Sequence, residues 1–344
     1  MAVIYSICIP TYRRPEEVER FLSMFDSIAN ETGMKDKFEL CISDNNEGLA
    51  TKKIVEKYNE KLNLHYHRWG KNVGYDRNSL QAMKLATGKF FQAASDEIFF
   101  TKETFSSMMS LLERTKADGV CIRPINGVST PTGLYHHTFS PGGVASYYSS
   151  YMSTLVMDRK FLDEFLKFHG KKIEAYMGRL FIHLPILLYF MQNAKTMENH
   201  ALEMDFGKQG ALFPSKLADL YLHHYFFLIK ACWENGMVKG SDYTRFRRSF
   251  LLALPFLFLK IRIYMNPKIY ASEIGRVTRA LDRLPAEYGA MGNVWVTIWR
   301  LALFNQIIPY HLAYRLWHKY KVRVKKDSRS RNMFEEYEIA GSKK

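Results

Sequence analysis

From Tyr5 to Ile125, apolar runs of strand length alternate with stretches of helical period, and the connections between them are short. Parallel strands need such crossovers, so the alternation predicts an α/β domain whose mostly parallel sheet carries helices on both faces. Tyr5 to Pro10, Phe38 to Ile42, Leu64 to His67, Lys89 to Ala94 and Gly119 to Ile125 read as the strands. Pro15 with Glu16 and Glu17 opens a helix whose Val18, Phe21, Leu22, Phe25 and Ile28 share one face. A second helix covers Lys52 to Tyr58. A third starts near Arg77 and stops at Thr87–Gly88, where Gly88 is expected to supply a left-handed cap. The next helix places Phe105, Met108, Met109 and Leu112 on one side, a stripe that reads as core.

One of these strands ends in chemistry. Ser95, Asp96 and Glu97 follow the Lys89–Ala94 run, and carboxylates beyond the carboxyl end of a parallel strand lie in the crevice where open α/β sheets bind ligands. Oxygen donors on a short turn suit Mg²⁺ or Mn²⁺, which keep coordination positions for the phosphates of a nucleotide. A lone Asp at such a place would merely cap the following helix. Here it stands among other polar strand ends, the Ser43–Asn46 turn and the Asn72–Asp76 loop.

The second half reads differently. Residues 126–148 are loop-like, with the pairs His136–His137 and Tyr147–Tyr148; neighbouring histidines do not readily chelate one ion, so they are expected to face solvent. Tyr151 to Met157 reads as a strand and a helix follows from Arg159. Phe181 to Pro185 then leads into an apolar helix over Ile186–Met191. Past a Gly- and Lys-containing linker at 206–214, helix follows helix: Tyr221–Trp233, Arg245–Tyr264, Ser272–Leu284 and Val294–Tyr320, each apolar on one side and basic on the other.

The net charge of +15 is carried almost entirely by this back half. From Lys216 onward there are 23 Lys and Arg against 10 Asp and Glu, whereas the first 215 residues carry 26 against 24. The sequence therefore predicts two parts, a catalytic domain over 1–214 and a basic amphipathic helical region over 215–344 that meets an anionic surface. Leu251–Leu259 is too short to span a bilayer, which takes roughly 20 apolar residues. Trp295, Trp299, Tyr314 and Trp317 mixed with Arg300, Arg315, Lys319 and Lys321 have the composition of a helix lying in a membrane interface. No basic leader precedes the first strand, so no signal peptide is expected. The four cysteines, Cys8, Cys41, Cys121 and Cys232, lack zinc spacing and read as reduced core residues of a cytoplasmic protein.

Four segments, in order, resemble the family-two glycosyltransferases of GT-A, Rossmann-like fold, and most of all the abequosyltransferase type of O-antigen and cell-surface polysaccharide assembly. They are SICIPTYRRP, FELCISDNN, KNVGYDRNSLQAMKLATGKF and SDE. The resemblance spans residues 1 to about 200. It implies inverting, single-displacement transfer of a hexosyl or deoxyhexosyl group from a nucleotide-diphosphate sugar to a lipid-linked oligosaccharide or polysaccharide. Pro10, Thr11, Tyr12 and Arg13 would cradle the nucleotide, with Asn72 and Ser95 beside it. Asp44 would accept from the base and Arg77 would pair with base or diphosphate. Asp96 would touch ribose or cation, and Glu97 would be the main metal ligand, where the family usually has Asp. The family's Glu-Asp pair, the source of its general base, is missing from the Glu174–His183 region, so Glu174 and His183 are the candidates.

The partners so implied are a nucleotide sugar, a divalent cation, a saccharide acceptor and the inner face of the cell membrane; homo-oligomerisation stays open. Two other readings compete. A basic tail over Arg315–Arg331 would also suit a nucleic acid, but no nucleic acid is expected, because such a role gives no reason for Asp44, Arg77 and Asp96–Glu97 on successive elements. A nucleotide-binding relative with weak or no catalysis would fit Glu97 and the absent base pair.

Overall fold

The computed structural model describes residues 2–124, 133–136, 153, 155–202, 224–248, 250, 282 and 288–303. The chain divides into two compact units, one of Met1–Lys208 with Leu228–Phe246, the other of Gln209–Phe227 with Arg247–Lys344.

The first unit is built on strands β1 (Tyr5–Thr11), β2 (Phe38–Asp44), β3 (Leu64–Arg68), β4 (Phe90–Ala93), β5 (Gly119–Pro124), β6 (Gly133–His136), β7 (Leu155–Asp158) and β8 (Thr196–Leu202). They form one sheet in the order β3-β2-β1-β4-β7-β5-β8-β6. β1 pairs in parallel with β2 and β4, β2 with β3, and β5 with β8, while β7 and β6 run against their neighbours. The mostly parallel α/β sheet expected from the alternation is what the chain forms.

Period two sorts the central strands. Tyr5, Ile7 and Ile9 of β1 and Phe38, Leu40 and Ile42 of β2 join one core with helices α1 (Pro15–Thr32) and α4 (Lys102–Arg114). Phe25 of α1, Phe38 of β2 and Phe105 of α4 pack there with ring centroids 5.0–5.5 Å apart. All five positions assigned to the buried face of α1 are buried, and so are Phe105, Met108, Met109 and Leu112. The short helix α2 (Ala50–Glu56) lies against α1.

The alternate residues Ser6 and Glu39 look to the other face, which α3 (Tyr75–Lys84) covers. The buried Glu39 carboxylate accepts from Ser6 Oγ at 2.6 Å, Thr87 Oγ1 at 2.6 Å and the Gly88 amide at 3.1 Å. Gly88 therefore does a different job from the one expected. It is not among the residues with positive φ; a Cβ there would come within 2.7 Å of Ser6 Oγ, so the position needs glycine for close approach.

Farther on, α5 (Lys160–His169), a 3₁₀ segment (Gly170–Tyr176) and α6 (His183–Asn193) follow β7. α6 begins earlier than Ile186, because Pro185 sits in its first turn, where its missing N–H costs no helical bond. α7 (Phe226–Glu234) carries Trp233, whose ring stacks on Tyr243 at 4.4 Å. In the second unit α8 (Ala290–Leu303) is described. The 206–214 linker, most of the basic helices, the Arg315–Arg331 tail, His137 and Tyr147–Tyr148 lie outside the described residues. Among the described residues no helix is long and apolar enough to cross a membrane, and Cys8, Cys41 and Cys232 are free and buried.

Candidate active site

The carboxyl ends of β1, β2 and β4 meet at Thr11. Its backbone is in register with Asp44 across β1 and β2. Its carbonyl accepts from the Asn45 amide at 3.0 Å and from Asn78 Nδ2 of α3 at 3.0 Å. Its hydroxyl donates to Asp96 Oδ2 at 3.2 Å. Asn45 reaches on to the Gly74 carbonyl at 3.1 Å, and Asn72 Oδ1 accepts from the Gly74 amide at 2.9 Å. Gly74, with φ of 87°, can turn the chain into α3 there because it has no side chain. Thr11, Asp44, Asn72 and Asp96, far apart in sequence, are thus brought into one patch.

Asp44 is fully buried, and its two oxygens accept from the Asn46 amide and the Tyr66 hydroxyl, each at 2.8 Å. Burial raises its pKa above the usual carboxylate value, against the bonds from Asn46 and Tyr66. Asp96 is 3% exposed. Burial pushes its pKa up to about 6, a rise that Arg14 and Thr11 moderate. Ser95 Oγ accepts from the Glu97 amide at 3.2 Å and shapes the turn.

Of the two adjacent arginines, the sequence pointed to Arg13, but Arg14 turns to the carboxylates. Arg14 Nη1 is 3.0 Å from Asp96 Oδ1, and Nη2 is 2.5 Å from Glu97 Oε1 and 3.6 Å from Glu17. Arg20 Nη2 donates to the Asp96 carbonyl at 3.3 Å. Arg13, at φ 54°, lies instead over the Tyr12 ring and 3.5 Å from Glu47, which also accepts from the Tyr12 hydroxyl. The left-handed backbone at Arg13 separates neighbours that residue type alone cannot tell apart.

Asp96 and Glu97, with the Thr11 and Ser95 hydroxyls beside them, are hard oxygen donors of the kind that suit Mg²⁺ or Mn²⁺. The guanidinium of Arg14 already stands between the carboxylates as a positive charge. Even with Arg14 and Arg20, carboxylates outnumber guanidiniums once Glu17 is counted. These residues fit a divalent cation, which Asp96 and Glu97 would hold in part. Among the described residues no cluster of three or more His, Cys, Asp or Glu could hold an ion alone.

The candidate bases lie beyond α3. Glu174, in the 3₁₀ segment, accepts from Arg77 Nη1 at 2.8 Å and from Nη2 at 2.5 Å, so the structure joins two residues assigned separate tasks. Both are well exposed, and exposed ion pairs contribute little. A double-mutant cycle on Arg77→Ala and Glu174→Ala is expected to give a coupling of about 0.5 kcal/mol in urea unfolding. His183 opens α6; it is buried, with its ring 5.8 Å from that of Phe181.

Asp76, which the sequence placed in the Asn72–Asp76 loop ahead of the third helix, stands in the first turn of α3 and is the missed organiser. It is buried, and its carboxylate accepts the amides of Arg179 at 2.7 Å, Leu180 at 2.9 Å and Ile182 at 3.1 Å. Burial raises its pKa while those amides hold it down. Asp76 and Arg77, side by side on α3, therefore grip both ends of the stretch from Glu174 to His183.

Parts of the chain are similar to known proteins. Over 127 residues the chain is 29% identical to abequosyltransferase RfbV of Salmonella typhimurium, covering 36% of this chain and 37% of that protein. Over 139 residues it is 28% identical to poly(ribitol-phosphate) beta-N-acetylglucosaminyltransferase TarS of Staphylococcus aureus, covering 39% of this chain and 23% of that one. The match therefore spans little more than a third of the first relative and under a quarter of the second. The crystal structure of residues 1–349 of TarS superposes with a TM-score of 0.44 at 18% identity, over 83% of this chain and 92% of that one. The profile of Glycosyl transferase family 2 matches residues 6–182, just over half of the chain, a stretch that includes Thr11, Asp44, Arg77 and Asp96–Glu97. The chain belongs to glycosyl transferase family 2.

Proposed function

We propose that this chain transfers a sugar from a nucleotide-diphosphate donor to a saccharide acceptor, lipid-linked, in the building of a surface polysaccharide. The observation that carries this reading is the convergence of three strand ends on Thr11, with buried Asp96 beside it, in a chain of this family. Pro10, Thr11, Tyr12 and Arg13 form the lip of the crevice against which the nucleotide lies. Asp44 and Asn72 stiffen the side that meets the base, since both are already held by the chain around them. Arg77 offers a planar fork to base or diphosphate.

Asp96 and Glu97 would hold a divalent cation, whose charge would offset the one developing on the departing diphosphate. The acceptor hydroxyl must lose its proton to a base on the opposite face of the sugar. Of the two candidates, Glu174 is the exposed carboxylate and shares Arg77 with the donor side, whereas His183 lies buried at the start of α6. The basic helices after residue 215 bring the enzyme to the anionic inner face of the membrane, where a lipid-linked acceptor would be met.

The test is release of nucleoside diphosphate from a panel of UDP-, CDP-, GDP- and dTDP-sugars with Mn²⁺ and membrane lipid extract as acceptor source. One donor should turn over, and Glu97→Gln should lower that rate by about 100-fold or more while the protein stays folded. Wild-type turnover in Glu97→Gln would remove Glu97 from the site; no turnover of any donor by wild type would favour a binding protein without catalysis.

A further inference from the structure

We propose that Arg14 is an exchangeable counter-ion: without nucleotide it neutralises Asp96 and Glu97, and with nucleotide it passes to the donor's diphosphate and leaves the two carboxylates to the divalent cation. This rests on the sugar-transfer reading of the site.

The geometry that points to it is the forked contact. One guanidinium places its two terminal nitrogens on two different carboxylates of one turn, Nη1 on Asp96 and Nη2 on Glu97. Arg14 stands just before the first turn of α1, makes no side-chain cap to that helix, and is about one-third exposed. Nothing else anchors its side chain among the described contacts except the carboxylate of Glu17, at 3.6 Å. The recorded polar contacts of its side chain are therefore all to carboxylates. The anchoring of the turn does not depend on it, because the Thr11 hydroxyl, the Ser95 hydroxyl and Arg20 hold the turn separately.

A cation approaching the ligand-free site must displace a like charge from both carboxylates. A diphosphate offers the same planar fork an equally good partner, since arginine pairs with phosphate and carboxylate in the same two-pronged way. Diphosphate and cation should then assist each other's binding, and by linkage the assistance is mutual. Neither the spacing of the acidic pair nor the identity of Glu97 provides this; it comes from the residue facing them.

The proposal gives opposite signs for one substitution. In titration calorimetry with Mn²⁺ alone, Arg14→Gln should bind the ion at least about tenfold more tightly than wild type, the factor a charge-assisted hydrogen bond carries. With EDTA present and inorganic pyrophosphate as the probe, the same variant should bind at least about tenfold more weakly. Adding Glu97→Gln to Arg14→Gln should remove the gain in Mn²⁺ affinity. A residue that merely propped the turn would weaken both ligands together, and that outcome overturns the proposal, as does equal Mn²⁺ affinity in wild type and variant. Should Arg14→Gln fail to fold by circular dichroism, Arg14→Lys keeps the charge and loses the fork, and the same opposite shifts, smaller in size, are expected of it. If wild type and variants bind neither probe, the sugar-transfer reading falls with the proposal; if wild type binds both and the variants match it, only the proposal falls.

Discussion

Asp76→Ala should lower the unfolding free energy by about 3 kcal/mol, measured as a shift of the urea midpoint by circular dichroism. Three amides at 2.7–3.1 Å lose their acceptor at once, that of Ile182 buried and those of Arg179 and Leu180 part-buried, and a buried donor left unpaired costs about 1–3 kcal/mol. The total stays below the sum for two reasons. Part of the segment can move out to water, and the carboxylate itself is held at a cost, as its burial-raised pKa shows. Leu180, at φ 64°, is a conformation that a leucine keeps only when its neighbours enforce it. Without Asp76 that backbone should relax, and Glu174 and His183 would no longer be presented at fixed positions. Asp76→Asn, which keeps one acceptor oxygen, should fall between the two. A midpoint unchanged in Asp76→Ala would show that the amides find other partners and that Asp76 does not fasten the segment.

The second large effect belongs to Asp96 and has a sign that can be checked. Its folded pKa, about 6, stands above the unfolded value, so between roughly pH 4 and pH 6 the folded protein keeps a proton that the unfolded chain has released. Below that window the group contributes nothing; through it, stability falls as pH rises, by up to about 3 kcal/mol for a shift of about two units. Asp96→Asn cannot titrate. The stability of Asp96→Asn relative to wild type should therefore climb across pH 4–6 and level off above it. Taking the difference between the two proteins cancels other carboxylates such as Glu39, whose pKa is lowered because the bonds from Ser6, Thr87 and Gly88 outweigh its burial. Sugar transfer should meanwhile drop by about 100-fold or more at neutral pH, since a neutral amide does not supply the carboxylate charge. A flat difference across pH 4–6 would mean that Asp96 titrates like an ordinary surface acid.

The strand ends were legible because strands write themselves as apolar runs and a polar residue that breaks the run marks the mouth of the sheet. That is how Asp44 and Asp96 stand out in the sequence. The faces of α1 and α4 were legible for the same reason, through their 3.6 period. β6 and β8 were not: β8 contains Glu198, Asn199 and His200, and what makes it a strand is its pairing with β5 and β6, information that no local pattern holds. Within the site, Arg13 and Arg14 carry the same chemistry, and only the left-handed backbone at Arg13 separates them. Asp76 was hidden because an acid in a polar loop leading into a helix has an ordinary reason to be there, while its real partners are about 100 residues away.

β7 also bears on the order in which the chain can assemble. β4 and β5 never pair; β7 lies between them and touches both, Phe91 and Gly119 each being in register with Met157. The strands of the β3-β2-β1-β4 half are all made by Ala93 and the core on one face is complete with α4, so that half could close once Arg114 has left the ribosome. The β5-β8-β6 half has nothing to dock on until Leu155–Asp158 has been made. Until then β4 is an open edge. Gln92 accepts from the Tyr5 hydroxyl inside the early half and donates to the Ser153 carbonyl just before β7, at 2.6 Å. A single side chain thus records both stages, one hand held by the half that forms first and the other waiting for the strand that closes the sheet.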